Sequence, residues 1–472
     1  MATSQHIQIK NINMGGIADS DYLGAVNSVS EIVGLNIHDE SGIIKLNQRL
    51  AEIDDATSVI DELIMAIVSA STGDTYFFGG TNGKIWKRTG AGVWSLVRTA
   101  SPAAGGAGVL SAREYKGYIY YAMESRLGRF DLASTWADNF ATFTNTDATY
   151  HPMEIVNQVL YVGDANFVAQ VDAGVFSANA LDLDTPFRVS ALGKLGTDLL
   201  IGTYVSSNIV STEIFRWNTW SDSFSIADEL PEVGINAFLR TDNRIVVSAG
   251  TKGNLYVYNG TQLDEYKQIK GSWSASTNKA TVNPNAVLNF HGLPLFGMSQ
   301  QTGTGVNLGC YSFGRTNANY PYVLSLDFPI STGNLTGIQI GAIAGNGDTF
   351  YVSWYDAAGG GSYGVDELDL SNKYTTGYLT TRLSLFDRVV ESTYRKITVP
   401  YRTYPTGTDI DIYAARNHGT MTEITETAND TKRLFVQTKV DGGEASVFQT
   451  KVVLTGTGND SPEIEMVDIE VV

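Results

Sequence analysis

The sequence predicts an all-β protein: a β-propeller of about seven blades, with a C-terminal β-sandwich and an irregular N-terminal arm. Three observations predict it. Apolar residues come in short runs rich in Val, Ile, Tyr and Phe, the composition of pleated, half-buried strands. Forty-eight glycines punctuate these runs without the three-residue period of collagen. One hairpin pattern, with an apolar strand, a small-residue loop and a second strand ending in apolar or aromatic residues, returns about every 40 to 55 residues. That interval suits a four-stranded blade.

The hairpins are read in order as DTYFFGGTNGKIWKR from Asp74, GYIYYAMESRLGRFD from Gly117 and QVLYVGDANFVAQVD from Gln158. DLLIGTYVSSNIVSTEIFRWN follows from Asp198 and NRIVVSAGTKGNLYVYN from Asn243. The last two are GLPLFGMSQQTGTGVNLGCYSFG from Gly292 and DTFYVSWYDAAGGGSYGVDELD from Asp348. A strand precedes most hairpins (IMAIVSAS, GVLSAREY, MEIVN, FRVSALGKL, INAFLRTD, AVLNFHG, IQIGAIAG) and is assigned to the inner edge of its blade. Fourth, outer strands are read at VWSLV, FATF, FSIAD and LDEYKQI.

Three domains are expected: an arm over residues 1–54, the propeller over 55–378 and the sandwich over 379–472. The arm is uneven, with a strand-like GIIKLN, and is expected to pack across the ring or reach a neighbour; ATSVIDELI offers a helical turn. Past residue 379 longer strands alternate with period two, as in YRKITVPYR, DIDIYAARN and SVFQTKVVLTG, which fits a half-buried sandwich. In IEMVDIEVV the alternation shifts phase at Val467–Asp468, which predicts a bulge.

Composition limits function. The net charge is −18, and Lys/Arg clusters run no longer than WKR or TKR, which argues against a dedicated nucleic-acid reader. The single cysteine, Cys310, forms no intramolecular disulfide and reads as a buried structural residue. MATSQHIQIKNIN lacks the apolar core of a signal peptide, and no apolar run reaches membrane-spanning length.

Catalytic patterns are sparse. The five histidines have no metal-binding spacing. GGSYG, Gly360 to Gly364, matches the string of a nucleophile elbow around Ser362, but it lies in a glycine-rich hairpin loop without the following helix. Asp182 and Asp184 share one face of LDLDTP, without the third oxygen donor of a calcium loop. No catalytic, cofactor-binding or metal-ligating residue is assigned, no cofactor is expected, and the chain is read as a non-enzyme. Trp217 and Trp220 of RWNTW are the candidate ligand-stacking aromatics; Tyr401 and Tyr404 of YRTYP are of the same type.

Three stretches carry a resemblance: MGGIADSDYLGAVNSVSEIVGLNIHDESGIIKLNQRL, TYFFGGTNGKIWKR and VFQTKVVLTGTGNDSPEIEMVDIEV. They resemble virion structural proteins of tailed bacteriophages, and the last looks like the closing strands of a small sandwich that recurs in tail components. A large propeller with appended domains is similar to the tail-nozzle proteins of short-tailed phages. The resemblance implies a viral tail protein, assembled in the host cytoplasm. It would form a ring-like homo-oligomer, with six-fold symmetry the expectation, around the DNA exit channel. Its partners would be itself and other virion tail proteins, with genome DNA only passing through and a host surface glycan a further candidate. The alternative class is a carbohydrate-binding or carbohydrate-active propeller: a receptor-binding protein, lectin or glycosidase.

Overall fold

The computed structural model describes residues 5–54, 60–101, 108–145, 150–205, 211–241, 244–271, 273, 279–302, 306–315, 319–385, 392–426, 428–440 and 444–471. They form two compact units. One comprises Ala51–Gly309 and Thr332–Glu367; the other comprises Met1–Leu50, Cys310–Ser331 and Leu368–Val472.

The first unit is the propeller. Its first sheet is an antiparallel meander of Ile64–Ser69, Thr75–Gly79, Lys84–Arg88 and Trp94–Thr99. Burial follows position in the blade. The inner strand alternates, Thr75–Gly79 is buried throughout, and Trp94–Thr99 is largely open to water. Glycine makes the central turn, where Gly83 has φ of +68°. The buried Glu62 carboxylate accepts from the N–H groups of Thr81, Asn82 and Lys84 at 2.7, 2.5 and 3.1 Å. Four more four-stranded sheets follow, with inner strands Val109–Tyr115, Met153–Val156, Phe187–Leu195 and Ile235–Thr241. The sixth sector contributes the hairpin of Lys279–Phe290 and Leu293–Thr302 to this unit. The seventh is built from Ile338–Asn346, Thr349–Asp356 and Ser362–Lys373, and its outer strand is the one that ends at Glu52.

Aromatic side chains cement neighbouring blades. Phe78 stacks on Tyr121 at 5.9 Å, and Phe77 meets Tyr351 edge-on at 5.6 Å where the last blade returns to the first. Burying each such ring contributes about 1.5–3 kcal/mol. Serine hydroxyls add a second device. Ser190 Oγ donates to Ile235 O (2.6 Å), Ser353 Oγ to Ile64 O (2.7 Å) and Ser299 Oγ to Ile340 O (3.1 Å), each joining one blade to the next. These contacts sit at register shifts near the start of the inner strands, at Ile64/Ala66, Val109/Ser111, Val189/Ala191, Ile235/Ala237 and Ile340/Ile343. A bulge re-aims the local groups, here toward the axis and the adjacent blade.

The second unit is a two-sheet β-sandwich. One sheet runs Gln5–Lys10, Met466–Val471, Ser392–Thr403, Phe435–Lys439, Ala428–Asp430. In the other, Val323–Phe328, Val29–Val33, Thr376–Thr381, Val447–Thr455 and Asp409–Arg416 follow one another. Buried and half-buried residues alternate along Val447–Thr455, the period-two pattern expected of a half-covered sheet.

Several expectations change. Residues 5–50 are not a free arm: Gln5–Lys10 pairs along its whole length with Met466–Val471, and Val29–Val33 pairs with Thr376–Thr381. Their edges are satisfied by strands more than three hundred residues away, which local sequence does not encode. The second strand of the sixth hairpin, Gly309–Gly314, falls in the sandwich unit apart from its first residue. The break in the closing strand lies at Glu465, between Glu463–Ile464 and Met466–Val471, so that Val467, Ile469 and Val471 share the buried face. The first residues of ATSVIDELI lie outside the described residues, and Asp61 to Leu63 form no helix. Among the described residues no helix is long and apolar enough to cross a membrane.

Candidate functional site

The inner strands converge on the propeller axis, and the sixth reaches across it. In Lys279–Phe290 the register slips between Val282 and Val287, so Asn283, Pro284, Asn285 and Ala286 bow out of the ladder. Asn285 Nδ2 donates to Met65 O (2.7 Å) and Leu110 O (3.0 Å), the carbonyls of the bulged residues in the first and second blades. Asn283 Nδ2 donates to Ile340 O at 2.5 Å in the seventh. One amide thus spans the hub and satisfies two carbonyls that the bulges would otherwise orphan.

Two cavities adjoin this bowed segment, and Pro284 lines both. The first, of about 340 Å³, is walled by inner strands, with Ala66, Ala112 and Val287 among its apolar residues and Arg113, Glu114 and Glu154 among its polar ones. Arg113 Nη2 pairs with Glu154 Oε2 at 3.0 Å and donates to Met153 O at 3.2 Å. Glu114 accepts from Ser71 N and Oγ at 2.8 and 2.5 Å. The second cavity, of about 360 Å³, includes Tyr150, Tyr204 and Lys279 in its wall. Burial raises the Tyr150 hydroxyl above its ordinary pKa, and Tyr204 adds to the effect. Volumes of this order suit a small ligand, and the fixed Arg113–Glu154 pair offers it both a donor and an acceptor.

The two sequence-predicted aromatics part company. Trp217 is 2% exposed, packs edge-on against Tyr161 at 5.5 Å and donates Nε1–H to Ser221 O at 2.8 Å. It is a core residue and no ligand platform: it shares a strand face with Phe215, and both pack in one cluster with Tyr161 and Leu199. Trp220 is 83% exposed. Asn218 Oδ1 accepts from the N–H groups of Trp220 and Ser221, both at 2.9 Å, which fixes the turn that presents the indole. Tyr401 is buried and donates to Asn429 Oδ1; Tyr404 donates to Asp409 Oδ1.

Ser362 opens a strand paired with Thr349–Asp356, which rules out an elbow there. Asp182 accepts from Asn166 Nδ2 at 2.8 Å, and among the described residues no three His, Cys, Asp or Glu side chains form a metal-sized group. Cys310 is fully buried. One grouping escaped the sequence reading: His38 Nε2 lies 2.9 Å from Ser312 Oγ and 3.7 Å from Asp327 Oδ2. It has the residue types of a nucleophilic triad without its wiring. Serine and aspartate share the same imidazole nitrogen, Nδ1 has no hydrogen-bond partner, and Ser312 and Asp327 are at most 1% exposed. Burial raises the Asp327 carboxyl above its ordinary pKa, and His38 opposes that shift.

No protein-family model and no curated protein matches the chain. Solved structures do match, at 8 to 12% identity for the three that follow. The WD40 repeats of RRP9 align at 11% identity and TM-score 0.47, over 69% of this chain and 99% of that one. A streptogramin B lyase aligns at 12% identity and TM-score 0.44, over 68% and 98%. An exo-beta-1,3-galactanase of Phanerochaete chrysosporium aligns at 8% identity and TM-score 0.35, over 90% and 100%. The likeness is one of fold. The galactanase match overturns the reading of the chain as a non-enzyme, because an enzyme of that class stands among its structural neighbours.

Proposed function

We propose that the chain is a structural component of a tailed-phage virion, a tail protein that joins copies of itself in a ring around the DNA exit channel and docks other tail proteins. The observation that carries this reading is the loop around Tyr22. Tyr22, Leu23 and Val26 are 46, 76 and 82% exposed. The loop is nonetheless tied down: Leu383 N donates to Asp21 O at 2.9 Å, Arg382 Nη1 to Tyr22 O at 3.2 Å, and Tyr22 Oη lies 2.8 Å from His418 Nε2. A tethered loop that holds apolar side chains in water has the character of an association surface. The loop lies within the N-terminal stretch that carries the phage resemblance. In this reading its occupant is a second copy of this chain, seated on the exposed Leu23 and Val26 beside the Arg382 guanidinium that holds the loop.

Light scattering on the purified chain tests the reading. The wild type is expected to be oligomeric in the micromolar range, and a Tyr22→Ser, Leu23→Ser, Val26→Ser variant monomeric with an unchanged melting temperature. A monomeric wild type, together with antibody label absent from the tails of virions, would sink it.

Trp220 favours a second reading, carbohydrate binding, because a rigid turn holds its indole in water where a sugar ring can stack. A glycan array checks it: Trp220→Ala should abolish any specific signal.

A further inference from the structure

The chain enters the third blade through His151, which is 1% exposed. Both ring nitrogens of this imidazole face backbone carbonyls. Nδ1 lies 2.7 Å from Gly163 O, in Val159–Asp164 of the third blade. Nε2 lies 2.9 Å from Glu124 O, in the second blade's turn after Tyr118–Met123. A carbonyl only accepts, and a neutral imidazole has one N–H to give. Only the imidazolium, with two, satisfies both contacts; a neutral ring sets a lone pair against a buried carbonyl. The surroundings suit a cation. Phe143 stacks on the ring at 4.1 Å and 12°, offering its π-face. The buried Asp164 carboxylate follows Gly163 in the chain, and its Oδ2 accepts from Thr144 N at 2.9 Å and Asn145 N at 3.2 Å. Ser111 Oγ donates to His151 O, which fixes the backbone that carries the ring.

We propose that His151 is a pH-sensitive latch between the second and third blades: doubly protonated it ties both carbonyls, and loss of one ring proton releases one of them. The charged groups that act on the ring are Asp164 and Glu124, both carboxylates. The sequence adds Asp147, outside the described residues, four positions before His151. A carboxylate near the ring favours its charged form. Burial pulls the pKa of the ring down; the carbonyls of Glu124 and Gly163 and the carboxylates of Asp164 and Glu124 pull it up. The upward pull prevails, because the neutral ring leaves a lone pair and a buried carbonyl opposed in place. Burial works against the Asp164 carboxylate as well, opposed by the Asn145 N–H and by His151, so each charge of the pair stabilises the other. The folded ring thus holds its second proton more tightly than the unfolded chain does. The stabilisation is complete below the ordinary pKa of 6.5 and is lost as pH rises through the higher folded value. The latch reaches beyond its seam. Tyr150, on one side of His151, walls one of the two cavities, and Pro152, Met153 and Glu154, on the other side, wall the second. Their shape is thereby linked to the proton on His151. This inference is independent of the assembly and carbohydrate readings.

NMR titration of the full chain, carrying isotope-labelled histidine, tests the latch. Single replacement of His6, His38, His291 and His418 by Gln assigns the other four rings and leaves His151 in place. Both His151 ring nitrogens should carry protons at pH 7. The ring should titrate about one unit or more above 6.5, a 10-fold or greater preference for the imidazolium. His151→Gln removes the titrating group, and comparison with the wild type in urea cancels every other one. The wild type's advantage should shrink by about 10-fold or more in the unfolding equilibrium between pH 6 and pH 9. A ring that is neutral at pH 7, or that titrates below 6.5, overturns the proposal. So does an advantage that stays level or grows over that range. The titration is read on proteins that keep His151, so it decides the matter even where His151→Gln does not fold.

Discussion

Asp54 shows how one carboxyl can couple fold and pH. Its side chain is buried just past Glu52, where the chain leaves the outer strand of the seventh blade, and Oδ1 accepts from Val365 N at 3.2 Å. Burial, aided by the nearby Glu52 and Asp366, pushes its pKa up to about 7 from 3.8. The folded state therefore holds this proton more tightly than the unfolded chain does. The resulting stabilisation is complete below pH 3.8 and is lost as pH rises through about 7. Asp54→Asn keeps the acceptor and removes the charge. It should stabilise the protein at pH 8 by on the order of 2–4 kcal/mol and leave it nearly unchanged at pH 3.5, as thermal melts at the two values would show. At this scale the sequence was partly legible. The buried state of Cys310 followed from its apolar strand. RWNTW gave two tryptophans equal standing, yet Trp217 packs inward on the strand face it shares with Phe215, and only the Asx turn after it frees Trp220. Arg240 and Arg244 flank one turn of the fifth blade, but Arg216 comes from the fourth, and nothing in the sequence announces that the three line one pocket.

Among elements, the blades were legible because each is local. Every inner strand read from the sequence matches an observed one, from Ile64–Ser69 to Ile338–Asn346, and the chain turns back within a few residues each time. The bulges and hydroxyl latches were not legible, since a single Ser190 or Ser353 in an apolar strand carries no sign of the carbonyl it will meet. Two substitutions probe the hub and the seam. Asn285→Ala leaves the carbonyls of Met65 and Leu110 without this donor and should destabilise by roughly 2–4 kcal/mol in denaturant titrations. Asn285→Asp should cost more, because it sets an acceptor against two acceptors. At Gly341 an added Cβ would stand 1.9 Å from Ile64 O, backbone that cannot move aside without opening the seam between last and first blades. Gly341→Ala should therefore destabilise by more than about 3 kcal/mol or yield insoluble protein, whereas Gly292→Ala, with open space around its Cβ position and only backbone strain to bear, should remain soluble.

Across the whole molecule, the architecture of propeller and sandwich was readable from repeats and alternation, but the boundaries were not. The first fifty residues supply strands to partners near the other end of the chain. Removing residues 1–53 should leave the outer edge of Ser362–Lys373 unpaired. Limited proteolysis of that truncated chain is expected to cut between residues 332 and 373, where the intact protein resists. The seventh blade also imposes an order in time. Glu52 leaves the ribosome 310 residues before Ser362, the start of the strand it must join. At translation rates of roughly 5–20 residues per second, Gln48–Glu52 waits about 15–60 seconds with its backbone edge open. Gln48, Arg49 and Glu52 interrupt its apolar character and make it a poor template for other nascent chains during that wait.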